Sequence, residues 1–170
     1  MKNFVLQGIL AVVLAVTGFI LQTTVLQSLS LADVAPNLLL IIVVSYSYIK
    51  GVYAGMAFGL LCGFLPDLVY GDLIGINSLI CLLIGYLAGF AHKIYDPDDV
   101  TFPVLITALA DFIYGLLYYV FRFLFRSRLN FVYYARRIIV PEIVYTVVLS
   151  VFVYKVLQKL FILFERKQEE

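Results

Sequence analysis

Long apolar runs separated by short polar stretches dominate this chain, and most approach the length that crosses a bilayer. A membrane helix needs about 20 predominantly apolar residues. Residues 155–165 place apolar and basic side chains on opposite sides of a helix, which predicts a helical tail in the membrane interface. We therefore predict a single all-α transmembrane domain, a six-helix bundle with spans at residues 4–26, 37–49, 51–65, 73–90, 101–121 and 138–154.

Glycine recurs at every fourth position from residue 51 to residue 63, so a helix here carries one flat stripe of glycines. Each interior glycine costs a soluble helix about 1 kcal/mol relative to alanine. In lipid, the stripe lets a neighbouring helix approach closely. We predict that residues 51–65 form the central helix, and that a second glycine step in the fourth helix meets it. The predicted packing glycines are Gly51, Gly55, Gly59, Gly63, Gly85 and Gly89.

Two residues mark predicted boundaries of the third helix. The apolar runs on either side of Lys50 form either two short helices or one long tilted helix. A lysine at the bilayer centre costs about 2.5–3.5 kcal/mol, which favours two helices in a hairpin with Lys50 at the water surface. Pro66 is predicted to end the third helix and to leave Asp67 in a turn.

The composition is typical of a membrane protein. Of 170 residues, 64% are hydrophobic and 14% are charged, whereas a soluble domain is about half apolar and a quarter charged. The net charge of +1 argues against a nucleic-acid partner. His92, Cys62 and Cys81 lack metal-ligand spacing, and no titratable pair is placed for acid–base catalysis. We expect neither enzymatic activity nor a cofactor.

Four polar residues in or near the predicted spans are candidates for partner contact or for helix packing: Asn37, Asp67, Asp111 and Glu142. An ionised carboxylate near the middle of the fifth span is costly, so Asp111 is either a binding or gating residue or a hydrogen-bonded packing residue. Asp67 either orders a turn or contacts a partner. Glu142 either pairs with a nearby arginine or faces a partner protein.

Arginines crowd the connection between the fifth and sixth spans. Such a cluster either anchors the chain to lipid phosphates or docks an acidic partner segment. The positive-inside rule places both termini in the cytoplasm by a narrow margin, since it leaves these arginines outside. The cluster consists of Arg122, Arg126, Arg128, Arg136 and Arg137.

The order of these motifs resembles the rod shape-determining MreD family. The resemblance covers nearly the whole chain, although the arginine-rich connection matches no pattern of that family. An acid in the fifth span, Asp111, and a proline opening the sixth, Pro141, both fit. The other residues that carry it are Pro36, Asn37, Gly59, Gly63, Asp67, Gly71, Leu73, Gly75 and Tyr86.

The resemblance implies a multi-pass protein of the bacterial cytoplasmic membrane, similar in fold to the substrate-capture subunits of energy-coupling factor vitamin transporters. It implies a non-catalytic scaffold of the cell-wall elongation complex that binds membrane lipid and MreC. MreB, RodA and a class B penicillin-binding protein would belong to the wider complex. Such a scaffold would help to position peptidoglycan synthesis and to maintain rod cell shape. The alternative is a vitamin-binding transporter subunit with a closed, polar-lined pocket.

Overall fold

The computed structural model describes residues 2–26, 35–70, 75–96, 99–126 and 135–169, and these residues contain six α-helices and no strand. Gly71, Leu73 and Arg128 lie outside the described residues. The all-helical fold class predicted from the sequence is confirmed. The helices are α1 (Lys2–Leu21), α2 (Leu38–Lys50), α3 (Val52–Tyr70), α4 (Ile76–Phe90), α5 (Thr101–Arg126) and α6 (Val140–Glu169).

Three short helical turns extend these helices, and five of the resulting segments in the described chain are long and apolar enough to cross a membrane. The turns are Gln22–Leu26 after α1, Ala91–Ile94 after α4 and Ala135–Ile139 before α6. The sixth helix, α2, has only 13 residues. At 1.5 Å per residue it is about 20 Å long, which is shorter than a hydrocarbon core of about 30 Å.

The short helix α2 is the centre of the bundle, so the prediction that residues 51–65 form the central helix is wrong. Every residue from Leu38 to Ile49 is buried, and α2 packs against each of the other five helices. The physical reason is that α2 is apolar on all sides, as expected of a fully buried helix. By contrast, α3 exposes Leu60, Phe64 and Leu68 on one face.

Apolar and aromatic side chains of α2 reach into two core clusters. In the first, Tyr46 stacks on Phe58 of α3 with ring centroids 4.3 Å apart, and meets Phe161 of α6 edge-on at 5.6 Å. In the second, Leu40 packs with Ile80 of α4. Aromatic pairs of this kind add about 0.5–1.5 kcal/mol beyond the area that they bury. The clusters hold α2 from both sides.

Pro66 lies inside α3, so the prediction that it ends this helix is wrong. A proline removes one helix hydrogen bond and crowds the preceding turn, but membrane helices tolerate this because neighbouring groups satisfy the freed backbone. The helix continues to Tyr70. As a consequence, Asp67 projects from a helix rather than from a turn.

The predicted interfacial tail is not a separate element. α6 runs unbroken from Val140 to Glu169, and Tyr154, Leu157 and Phe161 belong to the buried core. Lys50 at the end of α2 lies with its Nζ 5.4 Å from the ring centre of Phe161, a cation–π contact. Leu157 and Phe161 of this segment therefore pack within the bundle, whereas Val156 and Leu163 are exposed.

The backbones of α3 and α4 touch along a glycine seam. A Cβ atom on Gly59 would collide with the carbonyl oxygen of Cys81. A Cβ atom on Gly63 would collide with the carbonyl oxygen of Asn77 and lie 2.6 Å from the Cα of Ser78. No side chain fits at either position, because the obstacle is backbone and cannot rotate away.

The seam continues to the other end of the two helices. A Cβ atom on Gly55 would lie 2.7 Å from the carbonyl oxygen of Gly85, and one on Gly89 would collide with the Cα of Val52. Residues of increasing number along α3 thus meet residues of decreasing number along α4, so the two helices are antiparallel. Gly51 has φ of +91° and separates α2 from α3, a conformation that glycine adopts without strain.

Helix α1 is the least buried of the five long helices. A groove of about 400 Å³ lies between it and helices α2 and α3. Much of α1 is exposed, including Ile9, Val13 and Ile20. The small residues Gly8 and Ala11 of α1 border the groove, and most of its lining is apolar.

We expect Gly59→Ala to destabilise the protein, because its methyl group would push α4 away from α3. Overpacking of this kind costs about 1–3 kcal/mol, more than the gain of about 1 kcal/mol in helix propensity. Gly8→Ala is the matched control, since a Cβ atom there meets nothing within 4 Å. Unfolding in mixed detergent micelles measures the stability of both variants. Equal stability of the two would contradict close backbone packing at the glycine seam.

Candidate functional site

Asp67 projects from α3 and caps the first turn of α4. Its Oδ2 accepts hydrogen bonds from the backbone N–H of Gly75 (3.0 Å) and Ser78 (2.9 Å), and from the Ser78 hydroxyl (2.7 Å). Its Oδ1 accepts from the backbone N–H (3.2 Å) and the side-chain amide (3.0 Å) of Asn77. Gly75, the residue before α4, offers no side chain of its own for capping. The carboxylate from the neighbouring helix takes that role, where negative charge is favoured.

Asn77 extends this arrangement to a third helix. Its side-chain oxygen accepts a hydrogen bond of 2.8 Å from the hydroxyl of Tyr114 on α5, while its amide donates to Asp67. Asp67 is only 1% exposed, so its charge is compensated by these five donors rather than by water. The polar chain Tyr114–Asn77–Asp67 fixes α5, α4 and α3 relative to one another.

The N-terminus of α2 is also buried and receives its caps from side chains. Gln22, in the turn after α1, accepts a hydrogen bond of 2.9 Å from the Leu39 N–H. Asn37 accepts one of 3.2 Å from the Leu40 N–H, and its own N–H donates to the hydroxyl of Thr146 on α6 at 3.3 Å. These bonds satisfy backbone donors that a helix leaves unpaired at its start.

Asp111 lies beside this second cap on the inner face of α5. It is 2% exposed, and the hydroxyl of Thr146 on α6 is the polar group beside its carboxyl oxygens, although the geometry of a regular hydrogen bond is not met within the described residues. Glu142, four residues before Thr146, is half-buried in the first turn of α6, the helix that packs against α5.

Most of these groups gather at one end of the bundle. Asn37 precedes α2, Asp67 is in the last turn of α3, Asn77 is in the first turn of α4, and Glu142 is in the first turn of α6. Because consecutive helices alternate in direction, these positions are brought together. Asp111 lies deeper, in the first half of α5. We define Gln22, Asn37, Asp67, Asn77, Asp111, Tyr114, Glu142 and Thr146 as the polar junction.

The predicted site residues divide between this junction and other places. All four candidate polar residues belong to the polar junction. Arg136 and Arg137 are exposed in the turn before α6, and Arg122 and Arg126 are in the last turns of α5. Arg128 lies outside the described residues.

His92 and the cysteines lie away from the polar junction or serve in packing. Nδ1 of His92 is 2.9 Å from the carbonyl oxygen of Tyr48, a contact that ties the turn after α4 to the end of α2. Cys62 and Cys81 are buried and unbridged. In the described parts of the chain, no group of three His, Cys, Asp or Glu side chains is arranged to hold a metal ion.

Sequence reasoning did not identify Tyr114 or Thr146. A signal for both was present, since Tyr114 follows Asp111 by three residues and Thr146 follows Glu142 by four. These spacings place each pair on one face of its helix. Polar residues that share a face with a buried acid are candidates to compensate it.

Comparisons with known proteins identify the chain over nearly its whole length. The family model described as rod shape-determining protein MreD matches residues 2–162. Searches of curated proteins and of solved structures each gave no match. Similarity to energy-coupling factor subunits therefore stays a prediction.

We expect Asp67→Asn to destabilise the protein by about 3 kcal/mol, because the amide NH₂ would face at least two buried donors in either orientation. Asp99→Asn is the matched control. Asp99 accepts a 2.8 Å hydrogen bond from the N–H of Thr101, the first residue of α5, and asparagine caps a helix about as well as aspartate.

Detergent-induced unfolding of both variants measures the difference. If Asp67→Asn lowers the free energy of unfolding no more than Asp99→Asn does, the cap between α3 and α4 contributes little to stability.

Proposed function

Because this chain belongs to the MreD family of rod shape-determining proteins, we propose that it is a non-catalytic membrane scaffold of the bacterial cell-wall elongation complex. A role in rod shape determination follows from the family. The finer proposal is that the chain binds MreC and so helps to position peptidoglycan synthesis. MreB, RodA and a class B penicillin-binding protein would belong to the same wider complex.

The observation that carries this proposal is the match of the family model to residues 2–162. The arrangement of polar groups supports it. Asp67 is saturated by hydrogen bonds from its own chain, and Asn37 caps α2, so both side chains are used to fix the bundle. Exposed leucine, valine and phenylalanine side chains cover the outer faces of α1 and α3 to α6. Such faces suit lipid or the transmembrane helices of partners.

We further propose that the chain is one domain in the bacterial cytoplasmic membrane, with both termini in the cytoplasm. The polar junction would then lie towards the outer face, on the same side as Arg136 and Arg137. Arginines at that position would contact lipid phosphates or an acidic segment of a partner.

A vitamin-binding transporter subunit is the second candidate that the sequence raised. It requires a ligand held in a polar pocket. The groove between α1 and helices α2 and α3 has a mostly apolar lining and does not have this character. The family match over residues 2–162 favours the scaffold.

We expect the affinity-tagged chain, expressed in rod-shaped bacteria that lack their own MreD, to restore rod shape and to recover MreC from detergent-solubilised membranes. A scaffold acts by holding partners, so recovery should follow the amount of folded chain. Quantitative mass spectrometry of the eluate measures both partners and retained small molecules.

A tagged, unrelated multi-pass protein is the control for non-specific recovery. Folded chain that recovers no more MreC than this control would contradict the proposal. A vitamin retained in stoichiometric amount would favour the transporter subunit instead.

A further inference from the structure

The groove beside α1 is formed where small residues line both of its walls. Gly8 and Ala11 lie on α1, and Ala54 and Ala57 lie on α3. At the glycine seam small residues bring two backbones into contact, whereas here they leave about 400 Å³ that no described side chain fills. A Cβ atom added to Gly8 would meet nothing within 4 Å. The space is therefore available to a molecule other than the described part of the chain.

The groove opens near the surface at which α2 ends, at the opposite end of the bundle from the polar junction. A Cβ atom added to Gly18 of α1 would touch the side chain of Ile42, which sets the level of these two antiparallel helices. From this contact, Gln7 is eleven residues away along α1, about 16 Å, and Gly51 is nine residues away along α2, about 14 Å. Gln7 thus lies near the level of the turn at Gly51. Tyr53, 88% exposed just after that turn, is placed as in an aromatic belt at the membrane surface.

Two polar side chains, Gln7 and Tyr46, line the otherwise apolar groove. Tyr46 is 8% exposed, and its ring stacks on Phe58 with centroids 4.3 Å apart, so its position is fixed. Its hydroxyl has no hydrogen-bond partner among the described residues, yet it is not one of their fully enclosed unpaired oxygens, which belong to Asp111 and Tyr154. The hydroxyl therefore keeps access to open space, and the groove is the space that Tyr46 lines. An unpaired donor in an apolar groove suits a ligand with an acceptor.

The dimensions of the groove suit one hydrocarbon chain better than a helix. Its lining runs from Gln7 to Val12 on α1, about 7.5 Å, and from Ala54 to Leu61 on α3, about 10 Å. A volume of about 400 Å³ over a length of about 10 Å leaves a width of about 6 Å. A helix with its side chains is about 10–12 Å wide, so it could cover the groove but not enter it. A hydrocarbon chain, whose carbons pack against their neighbours at about 4 Å, fits this width.

The depth of the groove favours phospholipid as its occupant. Water needs two to four polar partners, which an apolar lining does not offer, and an unfilled groove forfeits the dispersion contacts of its walls. Tyr46 lies four residues, about 6 Å, inward of Lys50 at the end of α2. The polar interface of a bilayer is about 5–8 Å thick on each side. Tyr46 is therefore at the depth of the ester groups that join a phospholipid headgroup to its chains.

We propose that this groove binds one acyl chain of a membrane phospholipid. The chain lies against Phe58 and Leu61 in the room that the small residues leave, and its ester carbonyl accepts a hydrogen bond from the Tyr46 hydroxyl. The headgroup stays outside the groove, near the level of Gly51. Helix α1 is thus attached to α2 and α3 partly through lipid, which fills the gap between them.

The experiment is native mass spectrometry of the full chain, purified in detergent, stripped of lipid and titrated with dioleoylphosphatidylethanolamine. We expect the wild type to bind one phospholipid per chain. Gly8→Leu and Ala57→Leu fill the groove from opposite walls and should each weaken binding by about tenfold or more, because burying a chain depends on the area that it removes from water. Val13→Leu is the matched control, since Val13 is 54% exposed on α1 and does not line the groove.

Two further comparisons test how the lipid is recognised. Tyr46→Phe keeps the ring but removes the donor, and should weaken binding by about two- to tenfold, the range of one net hydrogen bond. Dioleoylphosphatidylglycerol should bind as well as the phosphatidylethanolamine, because no residue that lines the groove is charged. Binding of phosphatidylglycerol alone would overturn the proposal and assign the lipid to basic side chains instead.

Detergent-induced unfolding of each variant establishes that the chain is folded, and the two groove-filling variants do not depend on one another. A folded wild type that binds no phospholipid would overturn the proposal, as would folded Gly8→Leu and Ala57→Leu that bind it like the wild type. A dimer of the wild type that both variants abolish would instead assign the groove to a second copy of the chain. Unchanged lipid binding with lost recovery of MreC would assign it to a partner's helix.

Discussion

The organisation of this protein depends on a helix that is too short to cross a bilayer alone. α2 has 13 residues and is buried on every side, so its backbone ends must be satisfied by protein rather than by bulk water. Gln22 and Asn37 do this at its start, and Gly51 turns the chain at its end, donating to the Ser47 carbonyl at 2.8 Å. The five longer helices surround α2. Polar side chains are concentrated where α2 begins, and that concentration is the polar junction.

Fold class and family were both predictable from the sequence, because apolar runs of membrane length and the order of Gly, Asp and Pro motifs are local features. The identity of the central helix was not. Exposed α1 and buried α2 are almost equally apolar, since lipid and protein interior favour the same side chains. Hydrophobicity therefore separates membrane from water but does not separate the inside of a bundle from its outside. The shortness of α2 was the available signal.

At the polar junction, too, the sequence predicted which single residues are unusual but not what they contact. Asp67 was recognisable as a group needing partners, but Pro66 beside it indicated a turn, and tertiary packing overrode that local preference. The donors to Asp67 come from the next helix, eight to eleven residues further along the chain. Asp111 was recognised as an unusual acid for its depth. Which residues of α6 lie beside it depends on the register between α5 and α6, which no local pattern specifies.

The glycine seam has a mechanical consequence. Two helices whose backbones interlock at four levels, and whose ends are joined by the bonds of Asp67, cannot slide or roll past each other without breaking several contacts at once. α3 and α4 therefore behave as one rigid unit. A rearrangement that accompanies assembly would then involve other elements, and α1 is the least buried of the five long helices and borders an open groove.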